Sequence, residues 1–239
     1  MTDPTLTARN LTKRYGAKTA VDGLSFDVPR GAVTAMLGLN GAGKTTVLRI
    51  ALGLARPTSG EVRFGGDRYR DLPNPASVVG ALLDGHGLHP DRSARDHLRV
   101  AAAAQVRPDR LEAVLESVGL GPNGGDRVRT FSLGMKQRLG LAAAMLGDPK
   151  TLILDEPMNG LDPEGVRWLR ERLRGFAREG GAVLVSSHVL SEVERLADEV
   201  LVIDRGRKLA AGPLNEVVGD RRSLEETLFD LTGSAEESA

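Results

Sequence analysis

The chain has 239 residues, with 32 basic and 32 acidic side chains, a formal net charge of zero and no cysteine. This length suits a single α/β domain with a sizeable core. The balanced charge gives no electrostatic case for nucleic-acid binding, and the lack of cysteine excludes disulfides and thiolate metal sites. No stretch approaches the roughly 20 apolar residues that cross a bilayer, and the first residues lack the pattern of a signal peptide. We therefore expect a cytosolic protein that reaches a membrane only through a partner.

The first third of the chain predicts short strands and one helix. Residues 6–37 hold several short strands separated by glycine-containing turns. The predicted turns are Tyr15-Gly16, Asp22-Gly23 and residues 29–31. Residues 32–37 favour a short buried strand, and residues 47–52 favour a helix. Further strands are predicted at residues 61–64 and 78–83.

Residues 38–46, between that strand and that helix, read Gly-Leu-Asn-Gly-Ala-Gly-Lys-Thr-Thr and match the phosphate-loop pattern G-x-x-x-x-G-K-[ST]. Glycines let backbone N–H groups curl around a polyphosphate, and the N-terminus of the following helix adds positive charge. Lys44 can reach the β- and γ-phosphates, and the Thr45 hydroxyl can bind Mg²⁺. The flanking strand and helix disfavour an accidental glycine turn. The predicted nucleotide-binding residues of the loop are Gly38, Asn40, Gly41, Gly43, Lys44, Thr45 and Thr46.

The middle of the chain, residues 90–148, loses the strand pattern and favours helices. Helices are expected at residues 98–104, at 111–115 and from Ser132 to Met145, with a loop at 119–125. Since strands come before and after this stretch, we interpret it as a helical insertion within an α/β core.

Strand–helix alternation resumes at residue 151. Strands are predicted at 151–154, 182–185 and 200–203, and a helix at 163–178. Trp168, Leu169, Leu173 and Phe176 follow helical spacing on that helix, which predicts a core-packing stripe. The tail from Gly233 is predicted to be disordered because it is rich in Ser, Ala and Glu.

Two acidic residues, Asp155 and Glu156, follow the apolar run at 152–154. The carboxyl ends of buried parallel strands form the sites of α/β proteins, so we expect both carboxylates beside the phosphate loop. Asp155 is positioned to hold Mg²⁺ directly or through water, and Glu156 to orient or deprotonate the attacking water. On its own the pair also fits a polar strand end. Kinases, GTPases and transport ATPases all use a phosphate loop, so these two elements leave the reaction open.

The segment Phe-Ser-Leu-Gly-Met at residues 131–135 resembles the signature motif of ATP-binding cassette (ABC) ATPases, usually written L-S-G-G-Q. Ser132 and Gly134 match the motif, whereas Phe131, Leu133 and Met135 depart from its commonest form. A serine before a helix is also an ordinary N-cap, and a capped helix N-terminus is an anion site. The resemblance implies that Ser132 and Gly134 dock onto the γ-phosphate of an ATP held by the opposite subunit.

The resemblance covers nearly the whole chain and assigns further positions one at a time. Asp162 lies in a loop that resembles the segment crossing the dimer interface, although Pro163 also starts a helix. His188 resembles the switch histidine that contacts the γ-phosphate. Tyr15 resembles the aromatic residue that stacks on adenine, and its alternative reading is a half-buried strand tyrosine. Asp84 stands where the family commonly has Gln, sometimes Glu, that touches Mg²⁺; its side chain reaches one methylene less far.

The fold implied by the resemblance is α/β: a RecA-like P-loop NTPase core with a mixed sheet and flanking helices. An antiparallel β N-terminal part and an inserted α-helical subdomain complete it. The core is assigned to residues 1–88 and 149–220, and the helical subdomain to 89–148. Residues 221–239 are assigned to a C-terminal helix and a disordered tail.

The function implied by the resemblance is ATP hydrolysis coupled to transport, with ATP and Mg²⁺ as cofactors and Lys44, Glu156 and His188 as catalytic residues. The implied partners are a transmembrane permease on the cell membrane and a second cassette, either a copy or a homologue, with no nucleic acid. The variant signature and the tail at residues 223–229 resemble export-type cassettes, some of which serve antibiotic or lipid efflux.

Three alternatives stay open on the sequence. The chain is also compatible with a soluble cassette ATPase that remodels a protein or nucleoprotein assembly. A module that holds ATP without turnover is disfavoured by the presence of both Lys44 and Glu156. An importer ATPase is disfavoured because many of them carry an extra C-terminal regulatory domain, for which this chain is too short.

Overall fold

The computed structural model describes residues 4–83, 87–102, 108–219 and 223–236. The strands are β1 (Pro4–Tyr15), β2 (Lys18–Pro29), β3 (Val33–Leu37), β4 (Ser59–Phe64), β5 (Val79–Leu82), β6 (Thr151–Asp155), β7 (Ala182–Ser187), β8 (Glu199–Asp204) and β9 (Arg207–Pro213). The helices are α1 (Lys44–Ala51), α2 (Ala94–Ala101), α3 (Pro108–Ser117), α4 (Leu133–Met145), α5 (Pro163–Arg178), α6 (Leu190–Leu196), α7 (Leu214–Val218) and α8 (Leu224–Glu236). Within these residues no helix has the length and apolar character that a membrane crossing requires.

The central sheet has six strands in the order β5-β6-β7-β3-β8-β9. The first five are parallel, and β9 runs antiparallel to β8 at the edge. Every residue of β3, β6 and β7 is buried, which is why these strands read as continuous apolar runs. Because the carboxyl ends of adjacent parallel strands meet at one edge, the residues that follow β3, β6 and β7 converge there. The predicted α/β fold with a mixed sheet is confirmed.

The N-terminal sheet is antiparallel, in the order β2-β1-β4, and it corrects one sequence prediction. Asp22-Gly23 is not a turn, because β2 continues through it to Pro29. The pairing changes from Lys13↔Val21 to Leu11↔Leu24, so β2 carries one extra residue there. Gly23 has φ 63° and donates its N–H to Thr12 Oγ1 at 3.1 Å. A glycine that adopts positive φ serves a β-bulge as readily as a turn, and the sequence alone does not separate the two.

Helices α2, α3 and α4 lie between β5 and β6 and enclose a separate apolar cluster. Leu98, Leu115 and Leu139 are fully buried in it. Helix α2 begins at Ala94, four residues before the predicted start, with Ser93 as its N-cap. The subdomain boundaries at residues 89 and 148 stay a prediction.

The C-terminal half follows the predicted alternation with two differences. Helix α5 has the predicted bounds, and its Leu169 and Leu173 are buried. Strand β9 was not predicted. Helix α8 extends to Glu236, beyond the predicted start of the tail at Gly233, and the disorder of the tail stays a prediction. The first turns of α8 pack through Leu224 and Leu228 against the apolar cluster that contains Leu169 and Leu173 of α5. The single glycine at 233 costs the helix only about 1 kcal/mol.

Candidate nucleotide site

The phosphate loop connects the end of β3 to the start of α1. Two of its glycines are required by close backbone neighbours: a Cβ on Gly38 would overlap the Ile203 carbonyl oxygen, and one on Gly43 would overlap that of Ala20. Gly43 also has φ 106°, a conformation that favours glycine. As the N-cap of α1 it has no side chain with which to cap the helix. The first amides of α1 therefore remain available to an anion.

The Lys44 ammonium is buried at the centre of the site. Its Nζ lies 2.6 Å from the Gly38 carbonyl oxygen and 3.5 Å from Glu156 Oε1. Only 6% of the residue is exposed. A buried ammonium needs compensating oxygens, and a loop carbonyl and the Glu156 carboxylate supply them.

Glu156 occupies a strained position directly after β6. Its φ is 48°, which is unusual for a residue with a side chain. Its Oε2 lies 2.9 Å from His188 Nδ1, and its backbone N–H donates to Ser186 Oγ at 2.9 Å. Glu156 and His188, two of the predicted catalytic residues, are therefore in direct contact although they are 32 residues apart in sequence.

Ser186 is a site residue that the sequence reasoning missed. It is fully buried in β7 opposite Asp155 in β6. Its hydroxyl donates to Asp155 Oδ1 while accepting the N–H of Glu156. One hydroxyl thus orients both acidic residues. The only signal in the sequence was the pair of serines that ends an otherwise apolar strand.

Asp155 fits the role of a magnesium ligand. Its Oδ2 is buried and has no hydrogen-bond partner within the described ranges. Across the same residues, no three His, Asp or Glu side chains gather as a self-contained metal site. This donor set suits Mg²⁺, which binds through one or two protein oxygens and the phosphates of a substrate. Asp84, the other predicted carboxylate ligand, lies outside the described residues.

An open cavity of about 330 Å³ lies over the phosphate loop. Tyr15, Lys18, Glu156 and residues 39–46 of the loop line it. The Tyr15 ring is half exposed, and Lys13 Nζ lies 4.6 Å from its centroid. One face of the ring is therefore occupied by a cation. Lys18 was not predicted; it is the first residue of β2, after the Tyr15-Gly16 turn.

Ser132, Gly134 and Asp162 are not among the residues that line this cavity. Ser132 is exposed and caps α4 by accepting the Met135 N–H at 3.2 Å. Asp162 caps α5 by accepting the Gly165 N–H at 2.8 Å. The structure therefore gathers the phosphate loop, Asp155, Glu156 and His188, and the signature residues do not line the cavity over that loop.

Comparisons with known proteins agree on one family. A family model described as ABC transporter matches residues 21–159. The lantibiotic transport ATP-binding protein SrtF of Streptococcus pyogenes is 42% identical over 205 residues, which cover 84% of this chain and 88% of that protein. The bacitracin transport ATP-binding protein BcrA of Bacillus licheniformis is 40% identical, covering 92% of this chain and 74% of that protein.

Two further comparisons extend this similarity. The Nod factor export ATP-binding protein I of Ralstonia nicotianae is 39% identical over 222 residues, covering 90% of this chain and 69% of that protein. A solved structure of an ATP binding subunit of an ABC transporter superposes with a TM-score of 0.85 at 30% identity. That superposition covers 95% of this chain and 99% of the solved one.

Proposed function

Because the chain belongs to the ABC transporter family of ATPases, we propose that it powers an exporter as an ATP-bridged dimer. The dimer would drive a separate transmembrane permease from the cytoplasmic face of the membrane. The observation that carries the proposal is that Glu156 contacts both Lys44 of the phosphate loop and His188. Relatives whose names specify lantibiotic transport, bacitracin transport and Nod factor export support an exporter. None of them supports the alternative of a soluble remodelling ATPase.

The first step is an exchange of partners at Lys44. The phosphates of ATP lie along the loop amides, and the ammonium turns from the Gly38 carbonyl to the β- and γ-oxygens. This exchange releases Glu156 from its contact with Lys44. The carboxylate is then free to act on water, while His188 remains bonded to its other oxygen.

The chemical step is in-line hydrolysis of the γ-phosphoryl group. A water oxygen bonds to the γ-phosphorus, the bond to the β–γ bridging oxygen breaks, and Glu156 accepts a proton from the water. Lys44 stabilises the charge on the transferred group, and His188 keeps Glu156 oriented. Thr45 and Asp155 would hold Mg²⁺, which supplies charge neutralisation at the phosphate oxygens.

The exposed signature residues explain why a second cassette is needed. Ser132 and the first amides of α4 form a helix start that can receive an anion, and Ser132 does not line the cavity over the phosphate loop. In the proposed dimer, Ser132 and Gly134 of one copy complete the ATP site of the other, and Asp162 lies at their junction. ATP then bridges the copies, and its hydrolysis lets them separate.

The test is ATP hydrolysis by the purified chain beside Glu156→Gln, with Glu179→Gln as a matched control at the exposed end of α5. Loss of a general base predicts a fall of about 100-fold or more in kcat for the Glu156 variant, and no change for the control. The Glu156 variant should also accumulate dimers in ATP but not in ADP. Equal rates in the two variants would contradict the proposal.

The transport partner is tested separately. A tagged chain recovered from detergent-extracted membranes should bring down a polytopic membrane protein. Recovery of soluble proteins alone would contradict the exporter.

A further inference from the structure

We propose that a cavity between the two sheets binds a primary alkylammonium group, with the Glu199 carboxylate and the Thr34 hydroxyl as the acceptors of its N–H groups. The cavity has a volume of about 380 Å³ and is bordered by residues of β1, β2, β3, β8 and β9. This volume lies in the usual range of small-molecule sites, roughly 300–1,000 Å³. Its lining residues all differ from those over the phosphate loop, so the inference does not depend on the proposed function.

The cavity lies where two edge strands separate. Strand β2 is at one edge of the N-terminal sheet, and β9 is at one edge of the central sheet. The two strands are joined near Asp22, whose N–H donates to the Gly206 carbonyl at 2.9 Å and whose carboxylate pairs with Arg207 at 2.7 Å. Farther along, residues 25–27 of β2 and residues 211–212 of β9 line the cavity. A ligand can therefore enter between the strands without breaking a sheet.

Thr34 supplies a buried acceptor that the chain does not use. Thr34 and Glu199 are paired residues of the parallel strands β3 and β8, so their side chains emerge on the same face of the sheet, and both line the cavity. Thr34 is only 3% exposed, and its Oγ1 has no hydrogen-bond partner in the part of the chain that the structure describes. A buried polar group without a partner costs about 1–3 kcal/mol. A ligand that donates to this hydroxyl removes that cost.

Glu199 supplies the charge. Its carboxylate forms no hydrogen bond and no ion pair with any side chain among the described residues. Burial, and then the negative charges of Glu216 and Asp198, raise the pKa of Glu199. A carboxylate in these surroundings is stabilised by a cation that reaches it. Because an ammonium group has three N–H donors and no acceptor, it fits a hydroxyl oxygen beside a carboxylate.

The cations of the cavity do not occupy this end of it. Arg9 pairs with Asp27 at 2.6 Å, and Lys208 Nζ donates to the Ser25 carbonyl at 3.0 Å. The pairing of β8 with β9 places Lys208 four residues along β8 from Glu199, a distance of about 13 Å. The end of the cavity at Glu199 therefore keeps its negative charge and disfavours an anion.

The remaining wall suits an alkyl chain. Phe26 and Leu201 line the cavity and belong to the apolar cluster between the two sheets. An ammonium group at the end of an apolar chain occurs in free alkylamines and in the lysine side chains of proteins. The chemistry of recognition is the same for both sources, and only the group attached to the far end of the chain differs.

The experiment is an NMR titration of the full chain with three probes. N-acetyl-lysine amide carries the ammonium on a peptide unit, 1-aminopentane carries it on a free chain, and N-acetyl-norleucine amide has a matching chain without the ammonium. At least one amine should shift the backbone amides of residues 25–27, 199–201 and 211–212 in a saturable manner, and the norleucine compound should not. An affinity at least tenfold higher for the lysine compound assigns the site to a protein side chain, and any other ranking of the two amines assigns it to a free amine.

Substitutions then test the two acceptors. Glu199→Gln keeps the shape of the side chain but removes its charge, so amine affinity should fall about ten- to a hundredfold. Thr34→Val removes the hydroxyl and should lower the affinity about two- to tenfold. Glu216→Gln is the matched control, because it removes a neighbouring negative charge that does not line the cavity; its effect should stay below about threefold.

The results that would overturn the inference are specific to this site. They are equal affinities for the lysine and norleucine compounds, shifts confined to other regions, or equal losses in Glu199→Gln and Glu216→Gln. ADP affinity and ATP hydrolysis should be the same in Glu199→Gln as in the wild type, because Glu199 does not line the nucleotide cavity. A wild-type chain that binds the amine but does not hydrolyse ATP would contradict the proposed function alone.

Discussion

Ser186→Ala removes one hydroxyl that serves both acidic residues of the site. The hydroxyl donates to the Asp155 carboxylate and accepts the Glu156 N–H at 2.9 Å, in a fully buried position. A hydrogen bond to a charged group contributes about 1.5–3 kcal/mol and a neutral one about 0.5–1.5 kcal/mol. We therefore expect the variant to lose about 3 kcal/mol of unfolding free energy. For a chain of this size, that loss lowers Tm by about 6–12 °C.

The same substitution should reduce catalysis without removing any group that touches ATP. Glu156 loses the acceptor that holds its backbone at φ 48°, so its carboxylate is less well placed for the water. A small misplacement of a catalytic group costs roughly ten- to a hundredfold in rate, and kcat should fall by that factor. The phosphate loop is untouched, so KM should change less than about threefold.

The assay combines urea unfolding with steady-state ATP hydrolysis, and Ser187→Ala is the matched control. Ser187 is the next residue in the same strand, and within the described ranges its hydroxyl accepts the Val189 N–H at 3.0 Å. Its loss should cost about 1 kcal/mol and affect kcat much less. If the two variants matched each other in stability and kcat, the role assigned to Ser186 would be refuted.

Three more predictions concern single residues. Burial, and to a lesser degree the charge of Arg92, lower the pKa of His97, so the unfolded chain binds a proton first as pH falls below about 6.5. Protonation of His97 should then lower the free energy of unfolding by at most about 1.4 kcal/mol per pH unit. His97→Gln should flatten that decline in urea titrations between pH 6.5 and 5. An unaltered slope would contradict the role given to His97. Tyr15→Ala should weaken ADP binding, measured by calorimetry, about five- to fiftyfold, while Tyr15→Phe should keep the wild-type affinity. Equal ADP affinities of the two variants would rule out stacking of the ring on adenine. Thr34 has a buried hydroxyl with no partner in the described part of the chain, so Thr34→Val should leave stability unchanged or raise it by about 1 kcal/mol, and a clear loss in urea would count against this.

The sequence predicted those parts of the site that depend on local pattern. A phosphate loop requires glycines, a lysine and a threonine at fixed spacing between a strand and a helix, so Lys44 was identifiable from the amino-acid sequence alone. Asp155 and Glu156 were identifiable because they end an apolar strand. The roles given to these residues stay predictions until they are tested by substitution.

The features that the sequence did not predict depend on which segments become neighbours. Ser186 acquires its role only because β6 and β7 pair with Asp155 opposite it, and register between distant strands cannot be read from either strand. The approach of Leu133, at the start of α4, to Gly160 likewise joins two segments that are 27 residues apart. Strand β9 escaped prediction because its residues show little alternation of apolar and polar side chains.

The central claim is that each ATP site is built from two copies, and mixing two inactive variants tests it most directly. Ser132→Arg keeps its own Glu156 but cannot serve a partner, whereas Glu156→Gln serves a partner but cannot hydrolyse. When the two are mixed before ATP is added, random pairing gives one intact site in half of the dimers. Hydrolysis should then return to about a quarter of the wild-type rate, although each variant alone is inactive. A mixture no more active than its components, or a fully active Ser132→Arg chain alone, would contradict the composite site.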